Sequence, residues 1–223
     1  MRQFFFADLA DGRFIHLCQM IELPRLYAIL DRSLFADTLA LLHAAEELRS
    51  GVVTLLQYRN KAGNAREMLD EARALKQRFG GSMRLIMNDR ADLCLIAEFD
   101  GVHVGQEDLS SEGTRRVIGA KLWLGASTHN PEQLRAADAT STDYLAIGPV
   151  FATSSKVNPD PVVGLEGIRR ARELTRKPLV AIGGITRANA RSVIDAGADS
   201  VAVIADLSVN PRESAEEFFR ILG

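Results

Sequence analysis

Cysteine is scarce: the 223-residue sequence has only Cys18 and Cys94. Two thiols build neither a disulfide framework nor a four-ligand zinc site by themselves, and the scarcity suits a reducing, cytoplasmic setting. A basic excess is missing as well. There are 27 Lys and Arg against 29 Asp and Glu, a net charge of −2, which argues against nucleic acid as a partner. No apolar run approaches the ~18–20 residues that span a bilayer, so no membrane partner is expected. Phe4, Phe5 and Phe6 are interrupted at once by Asp8 and Asp11, and no basic start with an apolar stretch and cleavage site forms a secretory signal. Low-complexity blocks and long Gly/Ser/Pro linkers are also lacking, so no internal domain boundary is expected. What the chain does have is ordinary for a globular protein with a real core: 47% hydrophobic and 25% charged residues.

From Arg25 onward, short apolar runs alternate with amphipathic stretches. The runs are 25–30, 53–58, 84–88, 101–104, 123–127, 144–147, 179–182 and 200–204. They are brief, rich in Val, Ile and Leu, and lack strict alternation, as buried parallel strands do. Helical spacing marks 35–49, 66–79, 90–98, 110–118, 130–139, 165–174, 189–196 and 211–222. Asn130 with Pro131 reads as an N-cap and first turn, and Gly197 as a C-terminal stop. A strand start about every 20–25 residues, each followed by a helix, predicts a single α/β domain, a (β/α)8 TIM barrel over residues 25–223. A doubly wound sheet fits less well, because no G-x-G-x-x-G follows the first strand. Residues 1–24 stand outside the repeats as an N-terminal extension. Met20 directly precedes the first strand region, so a start there and a short cap beneath the barrel are both open readings.

Active sites of such barrels form at the C-terminal strand ends, and here most of those ends are polar. The second run leads into Gln57-Tyr58-Arg59-Asn60-Lys61, whose cations suit an anionic ligand or make a solvated loop pair. The third ends in Asn88-Asp89-Arg90. Asn88 can donate to a phosphate, and Asp89 can ligate a hard cation or cap the next helix. The fourth leads to Gly105-Gln106-Glu107-Asp108, so Asp89 and Asp108 come from adjacent ends and can share Mg²⁺ with a pyrophosphate. His103, alone on that strand, fits packing or hydrogen bonding better than catalysis. Ser127-Thr128-His129 follows the fifth run: Ser127 can donate to a phosphate, and His129 suits either proton transfer or a helix start. After the sixth come Thr153-Ser154-Ser155-Lys156, hydroxyls and a lysine on an irregular loop (153–163) expected to cover the mouth. Gly183-Gly184 ends the seventh run and Ile204-Ala205 the eighth, where many barrels hold phosphate on backbone N–H groups. Together these make two anion sites, one with a metal, and suggest an enzyme that joins or cleaves phosphorylated substrates.

Taken together, these segments resemble the thiamine phosphate synthase (thiamine-phosphate pyrophosphorylase) family. The stretches that carry the resemblance include 26–31, 57–61, 88–92, 100–108, 125–129, 143–151, 153–156 and 181–185, in family order over about residues 25–207. The resemblance implies a transferase that joins 4-amino-2-methyl-5-hydroxymethylpyrimidine diphosphate to 4-methyl-5-(2-phosphoethyl)thiazole. It implies a dissociative course in which pyrophosphate leaves before the thiazole nitrogen attacks. By motif, Gln57, Arg59, Lys61, Asn88, Ser127 and Lys156 hold the pyrimidine diphosphate, with Arg59, Lys61, Ser127 and Lys156 acting in catalysis. Asp89 and Asp108 bind Mg²⁺. Thr153, Ser155, Gly183 and Gly184, with backbone near Ile204 and Ala205, hold the thiazole phosphate. Two positions depart from the pattern: Ser155 stands where the family commonly has Thr, and Ala205 where it usually has Ser. A related thiazole tautomerase does not need the diphosphate and Mg²⁺ set, and a non-catalytic phosphate-binding barrel is the reading from another class. The partners implied are small phosphorylated molecules; a homo-oligomer is left open.

Overall fold

The computed structural model describes residues 21–153 and 160–223. Expectations for the first 20 residues, and for Ser155 and Lys156, lie outside the described residues. Eight strands and eight α-helices alternate among those described. They are β1 Leu26–Asp31, α1 Thr38–Ser50, β2 Leu55–Arg59, α2 Ala65–Phe79, β3 Arg84–Asn88, α3 Ala91–Ile96, β4 Gly101–Val104 and α4 Ser111–Ile118. The second half repeats the pattern with β5 Trp123–Thr128, α5 Pro131–Asp138, β6 Tyr144–Ile147, α6 Gly164–Leu174, β7 Leu179–Ile182, α7 Ala190–Asp195, β8 Ser200–Val203 and α8 Pro211–Leu222. Each strand pairs in parallel with the next, and β8 closes onto β1 through Leu26↔Val201 and Ala28↔Val203. The predicted (β/α)8 TIM barrel is the observed fold.

Alternation along each strand sets what faces where. On β1, Leu26, Ala28 and Leu30 join the large apolar layer beneath the helices. Tyr27 and Ile29 belong instead to a small interior cluster with Leu55, Ile86, Tyr144, Ala146, Val180 and Ala202. Following the inward parity toward the C-terminal ends gives Asp31, then Gln57 and Arg59, Asn88, His103 and Ser127. The barrel interior therefore turns from apolar to polar as it opens at one end.

Helix starts are fixed by side-chain caps. Asp37 accepts from the Ala40 N–H (2.9 Å), Asn64 from Arg66 and Glu67 (3.0 and 3.1 Å), Ser110 from Gly113 (3.1 Å) and Asn130 from Gln133 (2.9 Å). These caps correct two expected boundaries. The first helix starts at Thr38, not Phe35, because Asp31 accepts from the Ser33 N–H (3.0 Å) and caps a separate 3-10 turn at Arg32–Leu34. Strand β2 starts at Leu55, not Val53, because Val52 (φ 68°) and Val53, whose N–H reaches Leu48 O, still belong to the exit from α1.

Candidate active site

The polar end of the barrel opens into a cavity of about 670 Å³. Its lining includes Gln57, Arg59, Lys61, Asn88, Asp89, Asp108 and Ser127 on one side. Thr153, Gly183, Gly184, Ile204 and Ala205 line the other. Every described residue singled out from the sequence for substrate or metal is thus brought to one cavity. The two expected anion sites are two halves of a single space.

In the first half, Lys61 is ion-paired with Asp89, and Arg59 with Asp31, its register partner across β1 and β2. Asp89 has φ 63°, a left-handed backbone that few non-glycine residues adopt. Its own N–H donates to His103 O (2.8 Å), and the Arg90 N–H turns back to Asn88 O (2.8 Å). Asp89 does not cap α3, whose N-cap position is Arg90 with no side-chain cap bond. The Asp108 carboxyl lies within hydrogen-bonding reach of Asp89 and also accepts from the Gly105 N–H (2.7 Å). Burial raises Asp89 above the ordinary carboxylate range; Lys61 pulls it down, and Asp108 pushes it up again. Beside this pair, the buried Nδ2 of Asn88 has no hydrogen-bond partner. A buried donor left open in a cavity wall is available to an acceptor in that cavity.

Two acids pressed together next to an open donor suit a divalent cation that also carries phosphate oxygens. No group of three or more His, Cys, Asp or Glu that could hold a metal forms among the described residues.

The interior floor is hydrogen-bonded. Gln57 Nε2 donates to Tyr27 Oη (2.8 Å), and the Tyr27 and Tyr144 hydroxyls lie 3.0 Å apart. His103 reaches Tyr144 Oη with Nδ1 (3.1 Å) and Ser127 Oγ with Nε2 (2.8 Å). Burial holds His103 down to about 4, so its ring is neutral near pH 7, and raises both tyrosines above their ordinary values. His103 is thus a hydrogen-bonding histidine, as expected. His129 serves the helix start: its N–H donates to Gln133 Oε1 (2.8 Å), its Nδ1 to Gly148 O (2.6 Å), and Nε2 lies 3.5 Å from Asp160.

In the second half, Gly183 (φ 99°) and Gly184 (φ 65°) are both left-handed. A Cβ on Gly184 would meet Ala152 O at 2.5 Å, and one on Gly183 would meet Pro149 Cα at 2.6 Å. The missing side chains at these two positions make room for the β6 exit loop, and both glycines still line the cavity. Asp206 also lines the cavity. It grips Arg187 through the backbone N–H (2.8 Å) and both Nε and Nη2 (3.1 Å each), while Arg187 Nη1 reaches Glu217 on α8 (2.8 Å). This clamp ties the loops after β7 and β8 together. Sequence reasoning missed Tyr27, Asp31, Tyr144 and the Arg187–Asp206 pair. The signal for the first two was present in the inward parity of β1 opposite Gln57 and Arg59.

A (β/α)8 barrel whose C-terminal cavity combines paired cations, clustered carboxylates and a glycine-bordered rim defines an enzyme acting on phosphorylated small molecules. The family model for thiamine monophosphate synthase matches residues 26–207. A thiamine-phosphate synthase from Koribacter versatilis (strain Ellin345) is 62% identical over 205 residues, covering 91% of this chain and 97% of the relative. One from Agrobacterium fabrum (strain C58 / ATCC 33970) is 42% identical, covering 81% and 84%. The solved thiamine phosphate pyrophosphorylase from Pyrococcus furiosus superposes with a TM-score of 0.80 at 34% identity, covering 89% of this chain and 95% of that one. The chain belongs to the thiamine monophosphate synthase family, and so is a transferase of thiamine biosynthesis.

Proposed function

We propose that the enzyme couples 4-amino-2-methyl-5-hydroxymethylpyrimidine diphosphate to 4-methyl-5-(2-phosphoethyl)thiazole, forming thiamine phosphate and pyrophosphate with Mg²⁺ in a cytoplasmic setting. The observation that carries this reading is the joining of both halves in one cavity of about 670 Å³, inside the ~300–1,000 Å³ range of ligand pockets.

Gln57, Arg59, Lys61, Asn88, Ser127 and Lys156 hold the pyrimidine diphosphate. The Asn88 amide meets a phosphate oxygen with its open Nδ2–H. The bond from the pyrimidine methylene carbon to the diphosphate oxygen breaks first, its electron pair leaving with pyrophosphate. Arg59, Lys61, Lys156 and the Ser127 hydroxyl stabilise the charge that develops there, and no protein nucleophile is needed. Asp89 and Asp108 would hold Mg²⁺, which, when bound, neutralises leaving-group charge. Thr153, Ser155, Gly183 and Gly184, with backbone at Ile204 and Ala205, place the thiazole phosphate. Its ring nitrogen then donates its lone pair to the methylene cation, closing the new C–N bond.

Incubating the pure protein with both substrates and Mg²⁺ should yield thiamine phosphate and pyrophosphate in equal amounts, and EDTA should abolish both. No product from well-folded protein overturns the proposal. Ala205 leaves the rim one hydroxyl short of the usual serine, so Ala205→Ser should lower the KM for the thiazole phosphate about fivefold, the worth of one neutral hydrogen bond. An unchanged KM would remove Ala205 from that site.

A further inference from the structure

Between Gln57 and Ser127 lie three buried polar side chains, Tyr27, Tyr144 and His103, to which the reaction above gives no part. The five form one continuous hydrogen-bonded chain from β2 through β1, β6 and β4 to β5. The chain depends on a specific gap. A Cβ on Gly125 would lie 2.1 Å from the Tyr144 ring and 2.4 Å from His103 Nδ1, so only glycine lets these two rings meet.

Counting protons gives the chain a direction. The Gln57 amide nitrogen can only donate, so Tyr27 oxygen accepts from it. The Tyr27 proton then has Tyr144 oxygen as its acceptor, and the Tyr144 proton has His103 Nδ1. A neutral imidazole has one acceptor and one donor nitrogen. With Nδ1 accepting, Nε2 carries the hydrogen and donates to Ser127 Oγ. The opposite order, with Nδ1–H and Tyr144 donating to Tyr27, needs the Gln57 amide turned over so that Oε1 accepts the Tyr27 proton, in place of the Nε2 contact present here.

We infer that Tyr27, Tyr144 and His103 are positioning residues that hold His103 in its Nε2–H tautomer and thereby turn the Ser127 hydroxyl proton toward a ligand oxygen in the cavity. No proton moves along the chain; it fixes which way each hydroxyl points. The inference rests on the reading of Ser127 as a diphosphate donor, and it assigns a reason for polar groups in an otherwise apolar barrel interior.

Nitrogen-15 NMR of histidine-labelled protein tests the tautomer without any substrate, with the His103 signals assigned by their loss in His103→Gln. The wild type should show hydrogen on Nε2 and none on Nδ1, and Tyr144→Phe should abolish that fixed pattern. In turnover, Tyr144→Phe should lower kcat about tenfold, the effect of losing roughly 1.4 kcal/mol. The KM for the thiazole phosphate should stay unchanged. His103→Gln, which keeps an amide donor near the Nε2 position, should retain more activity than His103→Ala. The double variant Ser127→Ala/Tyr144→Phe should be no slower than Ser127→Ala, because Tyr144 acts through Ser127. Hydrogen on Nδ1 in the wild type, or additive losses in the double variant, overturns the inference. A wild type that forms no thiamine phosphate overturns the functional reading instead, and leaves the tautomer measurement to decide the chain alone.

Discussion

Asp89 combines a left-handed backbone, a partly buried carboxylate and a second acid within reach, a costly set of conditions of the kind found at functional sites. Because its folded pKa is raised above the ordinary 3.8, the protonated form is the one folding favours. Its contribution to stability is therefore present at low pH and lost as pH rises through that window. Asp89→Asn keeps a residue that tolerates the left-handed conformation and removes the repulsion from Asp108. We expect turnover to fall about hundredfold while thermal unfolding at neutral pH shows no loss of Tm. A clearly lowered Tm would make Asp89 a structural residue. His103 carries the opposite pH signature. Its folded pKa lies near 4 against an ordinary 6.5, so the unfolded chain takes up the proton first. Stability should drop as pH falls from about 6.5 toward 4, and denaturant titrations should show this slope flattened in His103→Gln. At this scale the sequence named most of the polar residues that line the cavity, because strand-end residues such as Asn88, Asp89 and Ser127 stand out after apolar runs. It did not reveal the ion pairs of Arg59 and Lys61 or the tyrosine pair. Those depend on contacts such as Tyr27 with Tyr144, 117 positions apart in the chain.

Among the elements, α2 carries an interaction that helical spacing alone cannot announce. Glu71 lies on its buried face. It accepts from Arg32 Nε (2.7 Å), Thr38 Oγ1 (2.9 Å) and the Tyr58 hydroxyl, and so ties α2 to β2 and to the segment after β1. Glu71→Ala removes the buried acceptor shared by Arg32, Thr38 and Tyr58. It should cost about 3 kcal/mol, seen as a Tm lower by roughly 10 °C. A shift under 2 °C would place the fastening of α2 in its apolar contacts. The β7 exit gives a second test. Gly184→Ala forces a Cβ toward Ala152 O at a left-handed position. It should cost about 1–2 kcal/mol in strain and raise the KM for the thiazole phosphate more than that for the pyrimidine diphosphate; equal effects would argue against a local role. Element order and type were legible in the alternation of apolar runs and amphipathic stretches. Boundaries were less so, because they are set by side-chain caps such as Asp37 and by the left-handed exit at Val52, which pattern alone ranks below neighbouring apolar residues such as Phe35.

At the scale of the whole molecule, the described barrel is closed by eight parallel pairings and contains no helix long and apolar enough to cross a membrane. Pyrophosphate and Mg²⁺ together should raise its Tm, by about 2.7 kcal/mol in stability at a hundredfold excess over the dissociation constant. Each alone should do less, and Asp89→Asn should lose the synergy. The pairing of Arg59 with Asp31 and of Lys61 with Asp89 has a further consequence, best put in the language of ion exchange. The mouth already holds its own counterions. On the proposed reaction, a simple anion such as chloride would displace a tethered carboxylate to gain little, whereas a diphosphate arriving with its metal would take Lys61 while the metal takes Asp89. The site would then work less as an open basic funnel than as a loaded exchanger, favouring an anion that brings a cation with it.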